Sequence, residues 1–304
     1  MTIKFKLGAD PELFLKRADG TNISAHDLVP GSKKAPYAVD SGAIQPDGLA
    51  AEFNIDAVDY NDFRAFDDKL TKVLGELKKA VGPDVFFDPR PSTLFDKDYY
   101  DALPETAKEL GCDPDYSAYS EDPMQPNPRP DGSSGLRSAA GHLHIGWGSD
   151  IPVDHPEHLE ICRTFIRQCD LYVGLGMTVF DTDTERRKLY GKAGAYRPKH
   201  YGVEYRTPSN AWISSRARRQ FIHSLVVAAI TNMQTGSPMY SYYPKNYAKS
   251  YGDVQEIINS GDAKRATTIL RDVLGIHVPA GVIAPTQKEL AEKAAATKKA
   301  KEKA

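Results

Sequence analysis

An α+β fold is the class this sequence predicts. Segments with strand periodicity are separated by long insertions, helical segments come at intervals, and no repeat of solenoid length recurs. Regular strand–helix alternation, the mark of a doubly wound parallel sheet, is missing.

The N-terminal run sets the pattern. Ile3, Phe5, Leu7, Ala9, Leu13 and Leu15 share one face, with Lys4, Lys6, Asp10 and Glu12 on the other, as a half-buried strand requires. A second strand is predicted over 49–55, where Leu49, Ala51, Phe53 and Ile55 alternate with Glu52 and Asn54. Asn61 then caps a helix whose Phe63, Phe66, Leu70, Val73, Leu74, Leu77 and Val81 recur at three- and four-residue steps, stopped by Gly82-Pro83. Residues 112–135 are dense in Pro, Asp, Ser and Gly and predict a long loop. A strand follows over 139–147, then a helix over 156–174 capped by Asp154 with Pro156 in its first turn. Alternation returns over 201–207, and helices near 215–234 and 253–274 close the globular part. Residues 1–285 read as one domain and 286–304 as a tail, flexible or a solvated helix.

Composition narrows the function classes. The 304 residues are 40% hydrophobic and 26% charged, and no apolar run approaches the roughly 18 residues of a membrane span. Net charge is -2, so nothing global recruits nucleic acid or an anionic membrane. The tail alone is basic, with six lysines against three glutamates from Thr286 onward. The first fifteen residues lack the regions of a secretory signal. Cys112, Cys162 and Cys169 show no CxxC spacing; the last two lie on a predicted helix among Leu159, Phe165 and Ile166, which suggests burial and a reducing, cytoplasmic setting.

Four stretches place chemistry-bearing side chains two residues apart on strands, so each set shares a face: Asp10-Pro-Glu12, Asp47 through Glu52, His142-Leu-His144 and Glu204-Tyr-Arg206. Acids on a strand ordinarily occupy a solvated face, but Glu52 lies between core positions. Arg197 and Arg206 flank Glu204, and arginine forks suit phosphate or carboxylate oxygens; the plainer reading is a salt-bridged strand. A carboxylate-rich set with one or two histidines selects a hard cation, Mg²⁺ or Mn²⁺, over structural zinc. Such ions commonly bridge nucleotide phosphates. There is no GxxxxGK[ST] loop, and Gly174-Leu-Gly176 lacks the rest of a GxGxxG fingerprint, so any ATP must be held by metals and arginines. No G-x-S-x-G elbow or HExxH helix occurs.

The order of these motifs resembles the COOH-NH2 ligase superfamily of glutamine synthetases and glutamate-cysteine ligases, and most closely its phiEco32-like phage carboxylate-amine ligase group. Gly8-Ala-Asp-Pro-Glu-Leu is similar to the family's first acidic strand, with Asp10 where many relatives carry glutamate; Gln45-Pro-Asp-Gly-Leu-Ala-Ala-Glu-Phe-Asn to its second; and Gly141-His-Leu-His to its histidine strand. The segment from Arg186 to Arg197, followed by Tyr201-Gly-Val-Glu-Tyr-Arg206, resembles its phosphate-arginine region. The resemblance spans roughly residues 8–213. It implies a curved, mainly antiparallel glutamine-synthetase-like sheet with helices on its convex face, working in the cytoplasm of a bacterial host if phage-encoded. It implies metal ligands at Asp10, Glu12, Glu52, His142 and Glu204, with Asp47 as a further acid. Nucleotide contacts are implied at His142, His144, Lys192, Arg197 and Arg206, and a phosphoryl clamp at Arg197 and Arg206. The expected chemistry is ADP-forming: ATP and Mg²⁺ (or Mn²⁺) activate a small-molecule or peptide carboxylate as an acyl phosphate, which an amine then attacks. Loops 112–135 and 188–195 are expected to set acceptor specificity. Two alternatives stand beside this: a metal-dependent hydrolase using the His-x-His strand, and a non-catalytic phage interaction protein on the same fold.

Overall fold

In a computed structural model the described residues are 4–108, 115–127, 135–148 and 151–283. Cys112, part of the Pro-rich loop and the basic tail at 286–304 lie outside them.

The strands are β1 (Lys6–Lys16), β2 (Asn22–Ile23), β3 (Gly31–Ser32), β4 (Ala35–Val39), β5 (Gly42–Asp47), β6 (Ala50–Asp59), β7 (Phe86–Asp88), β8 (Ser92–Leu94), β9 (Tyr116–Ser117), β10 (Leu136–Ser138), β11 (Gly141–Gly146), β12 (Ala195–Lys199) and β13 (Gly202–Tyr205). Nine form one path, β3-β4-β5-β6-β1-β11-β13-β12-β9, and β2 and β7 add to the far end of β1. Every pairing is antiparallel. The long strand β1 lies between β6 and β11, so the two N-terminal acids stand mid-sheet.

The helices are α1 (Phe63–Val81), α2 (Lys97–Ala102), α3 (Glu105–Lys108), α4 (Pro156–Cys169), α5 (Leu175–Thr178), α6 (Thr184–Leu189), α7 (Arg216–Gln234), α8 (Met239–Asn246), α9 (Ala248–Tyr251), α10 (Val254–Ser260) and α11 (Ala263–Asp272). The main core joins Leu7, Ala9 and Leu13 of β1, Phe53 and Ile55 of β6, Leu143 and Ile145 of β11 and Val203 and Tyr205 of β13 to apolar residues of α1, α4 and α7. Asp67 of α1 ties two of these helices together through Arg216 (3.0 Å) and Arg219 (2.6 Å) of α7. Phe14 and Ala50, on the opposite side of the pleat, pack with Phe95, Tyr100 and Ala107. The mainly antiparallel sheet with helices on one face is as expected, and the second face is partly closed as well, by α2 and α3.

Boundaries differ from the sequence expectation where two residues compete for one role. Asp62, not Asn61, caps α1, its carboxylate accepting from Ala65 N at 2.9 Å. His155, not Asp154, caps α4. The apolar run 156–174 is interrupted: after Cys169 the backbone widens into a π turn at Asp170–Gly174. The run 253–274 is two helices, because Gly261 takes a left-handed conformation (φ 68°) that ends α10 and Asp262 caps α11. Gly141 is required by packing, since a Cβ there would lie 2.4 Å from Ser209 O.

Candidate metal and phosphate site

Strand register gathers the predicted side chains on the face opposite the main core. Glu12 stands directly across from Glu52, which is across from Gln45 on β5. Asp10 faces His142. His144 faces Glu204, and Glu204 faces Arg197 on β12. Arg206 follows β13 immediately, its backbone N–H donating to Ala195 O at 2.9 Å. Residues two apart in sequence thus become neighbours across five adjacent strands, β12, β13, β11, β1 and β6.

The centre is a compact charge cluster. His142 Nδ1 lies 3.1 Å from Asp10 Oδ1 and 3.4 Å from Glu204 Oε1, and His144 Nε2 lies 3.0 Å from Asp10 Oδ2. Glu204, whose side chain is 1% exposed, receives Arg206 Nη1 on one oxygen, with Lys199 Nζ at 2.9 Å and Arg197 Nη1 at 3.6 Å from the other. Burial opposes its charge, but Arg206 and the histidines overcome that and hold its carboxyl down at about 2. Asp10 is half-buried, and although desolvation opposes its charge, His144 and His142 hold it well below the usual carboxylate range. Burial, helped by the Arg206 charge, lowers His142 to about 4; His144 is raised despite burial, chiefly by Asp10.

The second pair behaves in the opposite way. Burial and then the charge of Asp47 push Glu12 up to about 7. Burial and the charges of Asp10, Asp47 and Glu12 push Glu52 well above its ordinary value. Their partners are few: Glu12 Oε2 accepts from Ala140 N at 2.8 Å, and Glu52 Oε2 from Gln45 Nε2 at 2.7 Å. Asp47 is paired with Lys33 at 3.2 Å.

This donor set fits a divalent cation. One ligand atom each from Asp10, His144 and Glu204 lie within 4.8 Å of one another. Asp10 Oδ1, His144 Nε2 and Glu204 Oε2 are buried and find no hydrogen-bond partner among the described residues, only charged neighbours. Carboxylate oxygens crowded at Glu12, Glu52, Asp10 and Glu204 are the ligands that hard cations select. Beside the cluster opens a cavity of about 630 Å³, bordered by Gly8, Asp10, Glu52, Asn54, His144 and Tyr201.

Lys192 has an exposed side chain in the turn before β12, and its carbonyl accepts from Thr207 Oγ1 at 2.9 Å. Several residues at the site were missed from the sequence. Lys199 sits two residues from Arg197, and the same alternation would have found it. Tyr190 and Asp115 reach in from outside the strands, where no periodicity marks them, and Tyr201, expected as the first residue of a strand over 201–207, lies in the turn before β13: Tyr190 OH is 3.0 Å from His142 Nε2, Tyr201 OH 2.5 Å from His144 Nδ1, and Asp115 Oδ2 4.0 Å from Arg206 Nε. Arg186 is buried and donates to the carbonyls of Ala139, Thr207 and Pro208 at 3.1, 2.9 and 2.9 Å, fixing the chain shortly before His142 and just after Arg206.

No curated protein matches the chain. Among solved structures it is similar to ligand-free GmaS at 13% identity and a TM-score of 0.42, over 94% of this chain and 71% of that one. The histidine strand, the arginine segment and the helices behind them fall within residues 139–272, which match the family of phage phiEco32-like COOH-NH2 ligases, type 2, and the chain resembles that family there as its motifs implied.

Proposed function

We propose that this protein is an ATP- and Mg²⁺-dependent carboxylate-amine ligase, forming an amide bond through an acyl phosphate and releasing ADP and phosphate. The family match points to a carboxylate-amine ligase. The observation that carries the finer reading is the convergence of Asp10, Glu12, Glu52, His142, His144 and Glu204 with Arg197, Arg206 and Lys199 on one sheet face beside an open cavity.

Asp10, Glu12, Glu52, His142 and Glu204 would hold the ions, with His144 close enough to share in that role. The bound ions would neutralise phosphate charge and polarise the transferred group. Arg206 and Arg197 supply planar donors to phosphoryl oxygens as the substrate carboxylate attacks the γ-phosphorus and ADP leaves. Their charge is fixed in a buried site, so little reorganisation accompanies transfer. The amine then attacks the acyl carbon, the C–O bond to phosphate breaks, and the amine loses a proton. A small-molecule or peptide carboxylate and amine are the substrate class, and exposed Lys192 is assigned to the nucleotide from its place in the arginine segment. The oxygen-rich ligand set and the arginines favour this reading over zinc hydrolysis, which asks for histidine-dominated coordination.

The test is a screen of carboxylates with ATP, Mg²⁺ and hydroxylamine, a small nucleophile that intercepts acyl phosphates. With the correct carboxylate a hydroxamate and ADP should accumulate even without the natural amine. AMP and pyrophosphate as products would mean an adenylate route and would end this reading; absence of turnover with every carboxylate would favour a non-catalytic protein.

A further inference from the structure

Each histidine of the cluster divides its two nitrogens in the same way. His142 turns Nδ1 to Asp10 and Glu204 and Nε2 to Tyr190 OH at 3.0 Å. His144 does the reverse, with Nε2 toward Asp10 and Nδ1 toward Tyr201 OH. The two tyrosines come from unrelated segments, one just after α6 and the other in the β12–β13 turn, and both are half-buried. Tyr190 also lies under Arg206, whose guanidinium carbon is 5.1 Å from the ring centroid.

We infer that Tyr190 and Tyr201 are positioning residues that fix the rings of His142 and His144 for an incoming divalent cation. This rests on the cation site proposed above. The physical reason is the hydroxyl group. When a cluster-facing nitrogen carries a proton toward Asp10, the outer nitrogen of a neutral ring must accept; when the cluster-facing nitrogen gives its lone pair to an ion, the outer nitrogen must donate. A carbonyl or carboxylate on the outer nitrogen serves only the second state. A tyrosine hydroxyl both donates and accepts, so it holds the ring in one orientation before and after loading. Tyr190 extends this to the phosphate clamp, because the ring whose hydroxyl orients His142 also supports Arg206.

The test uses the full chain stripped of metal with EDTA and titrated with Mn²⁺, free ion being read by electron paramagnetic resonance. Tyr190→Phe and Tyr201→Phe should each weaken Mn²⁺ binding by roughly tenfold or more at unchanged melting temperature. In the metal-free protein, the imidazole ¹⁵N signals of the histidine beside each substitution should change, as the ring loses its fixed tautomer. Tyr196→Phe is the control: that hydroxyl points to Pro123 O at 3.4 Å, and its removal should leave Mn²⁺ binding unaltered. Each phenylalanine variant tests its own histidine, so if one folds poorly the other decides. Wild-type Mn²⁺ affinity and unchanged ring signals in both would overturn the inference while leaving the site reading intact. Failure of the wild-type protein itself to bind Mn²⁺ would instead remove the cation site, and this inference with it.

Discussion

Arg206 shows how much one side chain carries at this site. It pairs with Glu204, lies 4.0 Å from Asp115, rests on the Tyr190 ring and is almost fully buried. Burial disfavours its charge, yet Tyr190, Glu204 and Asp115 together raise its basicity above that of a free arginine. A group placed this way is a permanent cation with a fixed fork, and that is what phosphoryl transfer uses. Arg206→Lys keeps the charge and loses the fork. Hydroxamate formation should fall roughly 100-fold, and equilibrium nucleotide binding should change much less, so a paired titration and trapping assay separates the two. Equal losses in both would show that Arg206 serves binding alone. Arg206 and Glu204 were legible in the sequence because alternation along a strand is a local rule; Arg197 was singled out only as an arginine flanking Glu204 in the arginine segment, since no strand was predicted over 195–199. Tyr190 and Asp115 were not legible, because a side chain reaching in from a loop leaves no periodic trace, and Tyr201 was read as the start of an alternating strand although it belongs to the turn before it.

At the scale of elements, the sequence located segments better than their interruptions. The strands β1, β6, β11 and β13 were recognisable from apolar residues at every second position, and register then followed from burial of that apolar face; β12, which bears Arg197 and Lys199, was not predicted. The π turn at Asp170–Gly174 was hidden, since its residues continue the apolar pattern of α4. Its first residue explains part of the geometry. Asp170 is fully buried, accepts from Tyr205 OH at 2.6 Å and reaches Thr207 Oγ1 at 3.4 Å, linking the turn to the strand end that presents Arg206. Burial pushes its carboxyl up to about 7, against the hydrogen bonds from Tyr205 and Tyr119. The folded state therefore binds this proton more tightly than the unfolded chain, whose aspartate titrates near pH 4. Its contribution is fully present below about pH 4 and is lost as pH rises through about 7. Measured as the stability difference between wild type and Asp170→Asn in EDTA, the wild-type advantage should shrink by up to roughly 4 kcal/mol between pH 4 and pH 8. A difference independent of pH would mean that Asp170 is ionised throughout.

For the molecule as a whole, the site is a concentration of like charge at the middle of its largest sheet. Glu12 and Glu52 face each other across β1 and β6, Asp10 stands beside Glu12 on β1, and His142 and Glu204 stand on β11 and β13 farther along the same path, so an ion would bridge β6, β1, β11 and β13 rather than fasten a loop. Stabilisation by the ion should then appear in global unfolding. Without metal, both Glu12 and Glu52 are pushed toward the neutral form, so replacing Glu52 by its uncharged isostere removes little that the metal-free fold relies on. Glu52→Gln should melt no lower than wild type in EDTA. Saturating Mn²⁺ should raise wild-type stability, by about 2.7 kcal/mol at a hundred times the dissociation constant, and should raise that of Glu52→Gln far less. Differential scanning calorimetry over a Mn²⁺ series reads both effects in one experiment. Identical metal-induced shifts in the two proteins would show that the ion binds without Glu52, and a variant that melts well below wild type in EDTA would show that Glu52 holds the sheet together instead of waiting for an ion.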